Sequence, residues 1–176
     1  IVIDFWGVNR RYVHPTDFQL NSGQTLEQYF RKRPIDQQIQ QRHESRGDYR
    51  VLDLSINTFN SNKATYYHNT IGGYTGVKLQ RIQDIVDYHI SRGNKQVLDM
   101  LNTTDIINQN GQLIVNQEAN GWAWLVSGVE KEETSNEEIE ALNRINPDSV
   151  AIINTTDFSD YMKGWSPTGE GTISRT

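Results

Sequence analysis

The clearest pattern in the chain runs from Leu79 to Ile90. Leu79, Ile82, Ile85, Val86, His89 and Ile90 recur at short helical intervals, while Lys78, Arg81, Asp84 and Asp87 fall elsewhere. One apolar stripe on a 3.6-residue period predicts an amphipathic helix from about Val77. Gly93-Asn94 ends it, because glycine takes the left-handed conformation that closes a helix at little cost. Upstream, Tyr49-Arg50-Val51-Leu52-Asp53-Leu54 alternates in polarity with period two and reads as a strand. Residues 55–76, rich in Asn, Thr, Tyr and Gly, form a long irregular segment between the two. Long ordered loops are more often functional than short ones.

Further along, Val97-Leu98-Asp99-Met100-Leu101 is a short apolar stretch that fits a helix or a strand. Ile106-Ile107 and Leu113-Ile114-Val115 flank Asn110-Gly111, a strong hairpin signal. Trp122-Ala123-Trp124-Leu125-Val126 reads as a further strand. Ser135-Asn136-Glu137-Glu138 reads as a capping box opening a helix through about Ile145, with Ile139 and Leu142 facing inward. Pro147-Asp148 then turns the chain into a buried strand, Val150–Ile153. Before the first strand, residues 13–34 are loop-rich, with a short apolar helical face at Leu26, Tyr29 and Phe30. Pro34 opens a polar helix to about Arg42, since proline is tolerated in a first turn. The order predicts an α/β (mixed α+β) fold with a small central mixed sheet, a hairpin and flanking helices. One domain is expected over residues 13–163. Residues 164–176, rich in Gly, Ser and Thr, read as a linker or the start of a following β region.

Composition narrows the partners. Hydrophobic residues make up 35% and charged residues 22% of the 176, so the chain is polar for its size but not disordered in composition. The net charge of −5 argues against nucleic acid, whose phosphates need a basic surface, and weakly against an anionic bilayer. The chain has no cysteine, which excludes disulfides, thiolate metal sites and cysteine nucleophiles. No stretch approaches the roughly 18 apolar residues of a spanning helix. Residues 1–12 remain ambiguous. Ile1-Val2-Ile3 and Phe5-Trp6 followed by Arg10-Arg11-Tyr12 fit an ordinary first strand or the end of a membrane helix leaving the bilayer.

Two stretches carry candidate chemistry. Thr70-Ile71-Gly72-Gly73-Tyr74 runs into the helix bearing Lys78 and Arg81. Glycines let a backbone approach a ligand closely, and amides at a helix start attract anions. The competing reading is a plain turn before a surface helix with solvated basic residues, and P-loop spacing is absent. The second stretch holds Asn57, Asn60, Tyr66, Tyr67, His68 and Asn69. Aromatic faces with amide donors suit sugar rings, whereas the commoner role for such tyrosines is packing on a sheet. His14, His43, His68 and His89 make no HxH or HExxH pair, so no metal site is expected. His89, on an apolar helix face, reads as a satisfied core residue. The group Glu130, Glu132, Glu133, Glu137 and Glu138 reads as a solvated helix start. Trp122 and Trp124 would share one strand face, as a sugar platform or, more commonly, as core. No serine triad or cofactor loop appears, and no cofactor is expected.

Five of these clusters also carry a resemblance. Tyr49-Arg50-Val51-Leu52, Asn57-Thr58-Phe59-Asn60, Tyr66-Tyr67-His68, Ile71-Gly72-Gly73-Tyr74 and Lys78-Leu79-Gln80-Arg81, in that order, resemble the signature region of YfhO-like bacterial membrane proteins, especially those of Bacteroidetes. Residues 4–12, Val97–Asn102 and Gly121–Val126 look like flanking blocks of that family. Two positions depart from its pattern: Thr104-Asp105 stands where Lys-Tyr is expected, and Gly121-Trp122-Ala123-Trp124 where Gly-Asn-Ala-Trp is expected. The resemblance implies a soluble extracytoplasmic segment of a multi-pass protein related to glycosyltransferases that use lipid-linked sugars. Its partners would be the membrane-embedded remainder of the polypeptide and a polyprenyl-phosphate sugar or cell-envelope glycopolymer. The implied place is the outer face of the bacterial cytoplasmic membrane. On that reading Gly72, Gly73, Tyr74, Lys78 and Arg81 would hold phosphate and Tyr66, Tyr67 and His68 would contact sugar, with Asn57 and Arg50 completing the set. The catalytic residues would lie outside this segment. On the alternative reading the chain is a non-enzymatic structural or interaction domain, its glycines only permit turns, and Arg50 pairs with a carboxylate such as Asp53.

Overall fold

The structure, a computed structural model, describes residues 6–8, 10–11 and 25–158. Residues 6–8 and 10–11 are helical rather than extended. The linker reading of 164–176, and most of the readings placed on 1–5 and 12–24, lie outside the described residues. The fold is mixed α+β, as the order of elements predicts.

The short helix α1 (Leu26–Tyr29) opens on a capping box between Thr25 and Gln28. Pro34 stands in the first turn of α2 (Pro34–Arg42). Strand β1 (Arg50–Asp53) follows, then α3 (Lys63–Tyr67) inside the segment expected to be irregular, then α4 (Gln80–Tyr88) and α5 (Lys95–Met100). Gly93, at φ +70°, ends the turn after α4, and Asn94 caps α5 through Val97 N. The ambiguous apolar stretch at 97–101 is therefore mostly helix.

β1 pairs in parallel with β2 (Thr103–Ile107), and β2 pairs antiparallel with β3 (Leu113–Val115), in the order β1-β2-β3. The β2–β3 turn closes on a bond from Asn108 N to Gln112 O of 2.9 Å, with Gly111 at φ +75°. The expected hairpin is present. Parallel strands are usually buried on both faces, and β1 shows why here. Val51 points into one cluster with Ile39 of α2, Tyr49 and Ile107. Leu52 points into the other with Val86, Ile90, Val97 and Leu98 of the α4–α5 side. Helices thus cover both faces of β1 and β2, and every second residue of β1 from Tyr49 faces α2.

A second sheet pairs β4 (Gly128–Glu132) with β5 (Val150–Asn154) in parallel. Between them lies α6 (Ser135–Ala141), and α7 (Thr155–Phe158) ends the described chain. Three expectations are corrected here. Trp122–Val126 is not a strand. Trp124 Nε1 instead donates to Pro147 O at 2.8 Å, and Ser127 and Gly128 amides both donate to Ser149 O, which sets pairing to begin at Gly128. Glu130 and Glu132 belong to β4, not to a helix start. Two residues apart on a strand, they share a face, and both pair with Arg144. The capping residue of α6 is Thr134, one position earlier than expected, with reciprocal bonds to Glu137, and the helix stops at Ala141. His89 is fully buried, as expected of a core residue. Its Nε2 meets Ile139 O at 2.8 Å and its Nδ1 meets the Asn94 amide, which ties α4 to α6.

Candidate functional site

The α2 face of β1 holds the most concentrated chemistry in the described structure. Asp53 ends β1 and is 1% exposed, as is Asp36 of α2. Arg33, just before α2, bridges them. Its Nη2 lies 2.8 Å from Asp36 Oδ1 and 2.7 Å from Asp53 Oδ2, and its Nε donates to Asp36 Oδ2 at 3.0 Å. Asp53 Oδ1 accepts from Ser55 N and Ser55 Oγ at 3.0 and 2.6 Å. His68, at the end of α3, meets Asp36 Oδ1 through Nε2 at 3.2 Å and the Tyr49 hydroxyl through Nδ1 at 3.0 Å. Nε2–H donating to Asp36 and Nδ1 accepting from the Tyr49 hydroxyl satisfy both contacts.

This network fixes protonation. The hydrogen bond to Asp36 raises Arg33 well above its ordinary range, against an opposing effect of burial. Burial pushes Asp36 up, but hydrogen bonds from His68 and from the Arg33 side chain and amide outweigh it and hold the carboxyl well below the usual carboxylate range. The buried charges are paired and fully engaged, which is what a buried ionic group needs to be tolerated.

The network continues on the far side of Tyr49. The Tyr49 ring stacks on His43 with centroids 3.9 Å apart. His43 Nε2 lies 2.5 Å from Asp105 Oδ2 in β2, and Asp105 Oδ2 also accepts from Thr104 Oγ1 at 2.7 Å. Arg42 Nε approaches Asp105 Oδ1 at 3.4 Å. Asp105 is thus fully buried and clamps the end of α2 to β2.

The residues singled out from sequence fall in separate places. Gly72 lies against residue 58: a side chain there would put Cβ 2.3 Å from Thr58 O. Its amide donates to Thr70 Oγ1, that of Gly73 (φ +112°) to Thr58 O at 2.7 Å, and that of Tyr74 to Asn62 Oδ1 at 2.9 Å. These three amides are turned onto the chain itself. The Asn57 carbonyl accepts from Asn60 N, and its side-chain oxygen from the Asn60 amide group. Arg81 ion-pairs with Glu138 at 3.2 Å and Asp157 at 2.5 Å and lines a groove of about 280 Å³ with Ile82 and Leu142. Lys78 lies over the Phe59 ring, 5.5 Å from its centroid, and has no carboxylate partner among the described residues.

Tyr66 and Tyr67 line a different cleft, of about 480 Å³, with Phe30 and Arg31. Tyr66 stacks on Phe30, and the Tyr67 hydroxyl donates to Phe30 O. His68 is buried beneath them in the Asp36 network. Arg50 does not pair with Asp53, because residues three apart on a strand point to opposite faces; it donates to Leu101 O at 3.2 Å and lies over the exposed Trp122 ring. Trp122 and Trp124 form no platform, since Trp124 is tied to Pro147.

The quartet of half-buried Arg33 with buried Asp36, Asp53 and Asp105 was not singled out from sequence as a site, Asp53 being named only as a pairing partner for Arg50. A signal for two of them existed. Asp53 and Asp105 occupy strand positions whose neighbours two residues away, Val51 and Ile107, face the core. A carboxylate at a core-facing position implies a buried partner. Arg33 and Asp36 had only their three-residue spacing.

Among the described residues no helix is long and apolar enough to cross a membrane, and no three His, Asp or Glu side chains are placed to hold a metal ion. No family model, curated protein or solved structure matches the chain.

Proposed function

We propose that this chain is an accessory, non-catalytic domain on the extracytoplasmic side of a multi-pass bacterial membrane protein resembling lipid-linked-sugar glycosyltransferases. The five sequence clusters carry the identity of the parent. One structural observation favours the accessory role over a ligand-holding one. The Gly72, Gly73 and Tyr74 amides, the Arg81 guanidinium and His68 are all occupied by protein partners. Polar groups that already have protein partners leave little for a phosphate to claim. In this role the signature residues lock the 55–76 segment against β1, and the domain presents a fixed shape to the membrane-embedded remainder of its polypeptide.

A second reading rests on Lys78, whose charge meets an aromatic ring and no described carboxylate. It would make this edge a contact for the phosphate of a polyprenyl carrier or an anionic glycopolymer.

Titration of the isotopically labelled chain with undecaprenyl-phosphate headgroup analogues and polyanionic glycopolymer fragments separates the two. The accessory reading expects no amide shifts at millimolar ligand. Saturable shifts clustered at residues 72–81 and abolished by Lys78→Ala would replace it with the carrier-binding reading.

A further inference from the structure

Among the described residues β3 is an edge of the three-stranded sheet with no strand on its far side, and its side chains are apolar: Leu113, Ile114 and Val115. Ile114 is 50% exposed and Val115 36%. The bonds from Asn116 N to Thr104 O and Asn108 N to Gln112 O show which residues face β2. Counting in twos from them, Ile114 exchanges its backbone bonds with Ile106. Leu113 and Val115 therefore direct both N–H and C=O away from the sheet. Edge strands of this kind are normally blunted by charge, proline or a bulge. Here no charged residue or proline occurs from Ile106 to Gln117, and the β2–β3 register runs without a bulge.

From this geometry we infer that β3 is a self-association edge, pairing antiparallel with β3 of a second copy about a two-fold axis through Ile114. The edge is self-complementary under that rotation. Leu113 falls opposite Val115 of the second copy, so the two outward residues exchange both of their backbone bonds, making four bonds in all. Ile114 meets Ile114 side by side, where two exposed apolar chains leave water together. Gln112 falls opposite Asn116, amide against amide, and Glu118 opposite Asn110, so no like charges meet. That matters for a chain of net charge −5, whose copies repel one another overall. An isologous contact of this kind closes at a dimer and does not propagate, because each copy has spent its β3 edge. The strand is short, so the dimer is weak and sits at the transient end of interface sizes.

Sedimentation equilibrium of the 176-residue chain, run from ~10 μM to ~1 mM, tests this over the range expected of a small transient interface. The expected result is a monomer–dimer equilibrium. Ile114→Lys, which puts two ammonium groups on the axis, and Val115→Pro, which removes an outward N–H, should each weaken it at least tenfold. Both positions lie on an exposed edge where lysine and proline are tolerated, and circular dichroism verifies folding. In amide spectra, Leu113 and Val115 should shift with concentration and Ile114 should not. A wild-type chain that stays monomeric at the highest concentration overturns the inference. So does association that both variants leave intact.

Discussion

Replacing Arg33 with methionine isolates the buried charge network. Methionine keeps most of the apolar stem and removes the guanidinium that bridges Asp36 and Asp53. The two carboxylates, whose side chains are 2% and 1% exposed in the wild type, keep His68, Ser55 and the backbone amide of residue 33 as partners but lose their cation. Removing one member of a buried ion pair typically costs about 3–5 kcal/mol, because the stranded charge has lost its solvation and gained nothing. For a chain of this size that lowers Tm by ~6–20 °C, at about 2–4 °C per kcal/mol.

The pH dependence gives the sharper check. In the wild type the folded Asp36 carboxyl titrates well below the ordinary aspartate range. A depressed carboxylate contributes stability that is present above its unfolded pKa and is lost as pH falls through that value toward the folded one. In Arg33→Met the same carboxyl is buried without its cation, so protonation relieves the variant. The stability gap between the two should therefore be widest near neutrality and should narrow below about pH 4. Urea denaturation followed by tryptophan fluorescence at pH 7 and pH 3 measures both. A gap under about 1 kcal/mol at pH 7, the range of an exposed ion pair, would refute the reasoning. A gap that does not change at pH 3 would refute it as well.

Other consequences follow from single contacts. Gly72→Ala places a Cβ 2.3 Å from Thr58 O and should destabilise by about 1–3 kcal/mol in thermal unfolding, whereas Gly76→Ala, with nothing within 4 Å, should stay within about 0.5 kcal/mol. Tyr49→Phe removes the hydroxyl that meets His68 Nδ1 and should lower the urea-derived stability by about 1–3 kcal/mol, the usual loss when a buried polar atom is left unpaired. Arg81→Ala breaks two pairs on a half-exposed guanidinium and should change stability by less than about 1 kcal/mol in urea denaturation.

The sequence determined those features whose causes lie within a few residues. α2 begins where Pro34 permits it, the turn after α4 ends at Gly93, and Asn110-Gly111 turns β2 into β3, because caps and tight turns are satisfied by neighbours in the chain. The apolar stripe from Leu79 to Ile90 predicts a helix for the same reason. The mixed α+β class followed from the order of such elements.

Tertiary structure decided the rest. The strand near residue 128 starts where Ser149 offers a carbonyl and not where the apolar run lies, since a strand's position depends on its partner. Glu130 and Glu132 became strand through pairing with β5, and Arg144 neutralises both carboxylates from one side. The glycine loop, legible as an anion cradle, turned its amides onto Thr58, Thr70 and Asn62 instead. The network under α2 joins residues far apart in the chain: Arg33 to Asp53 across 20 positions and His43 to Asp105 across 62. Local pattern shows that Asp53 and Asp105 sit at core-facing positions. Only the packing of α2 on β1 and β2 supplies the cation and the imidazoles that make a buried carboxylate tolerable there.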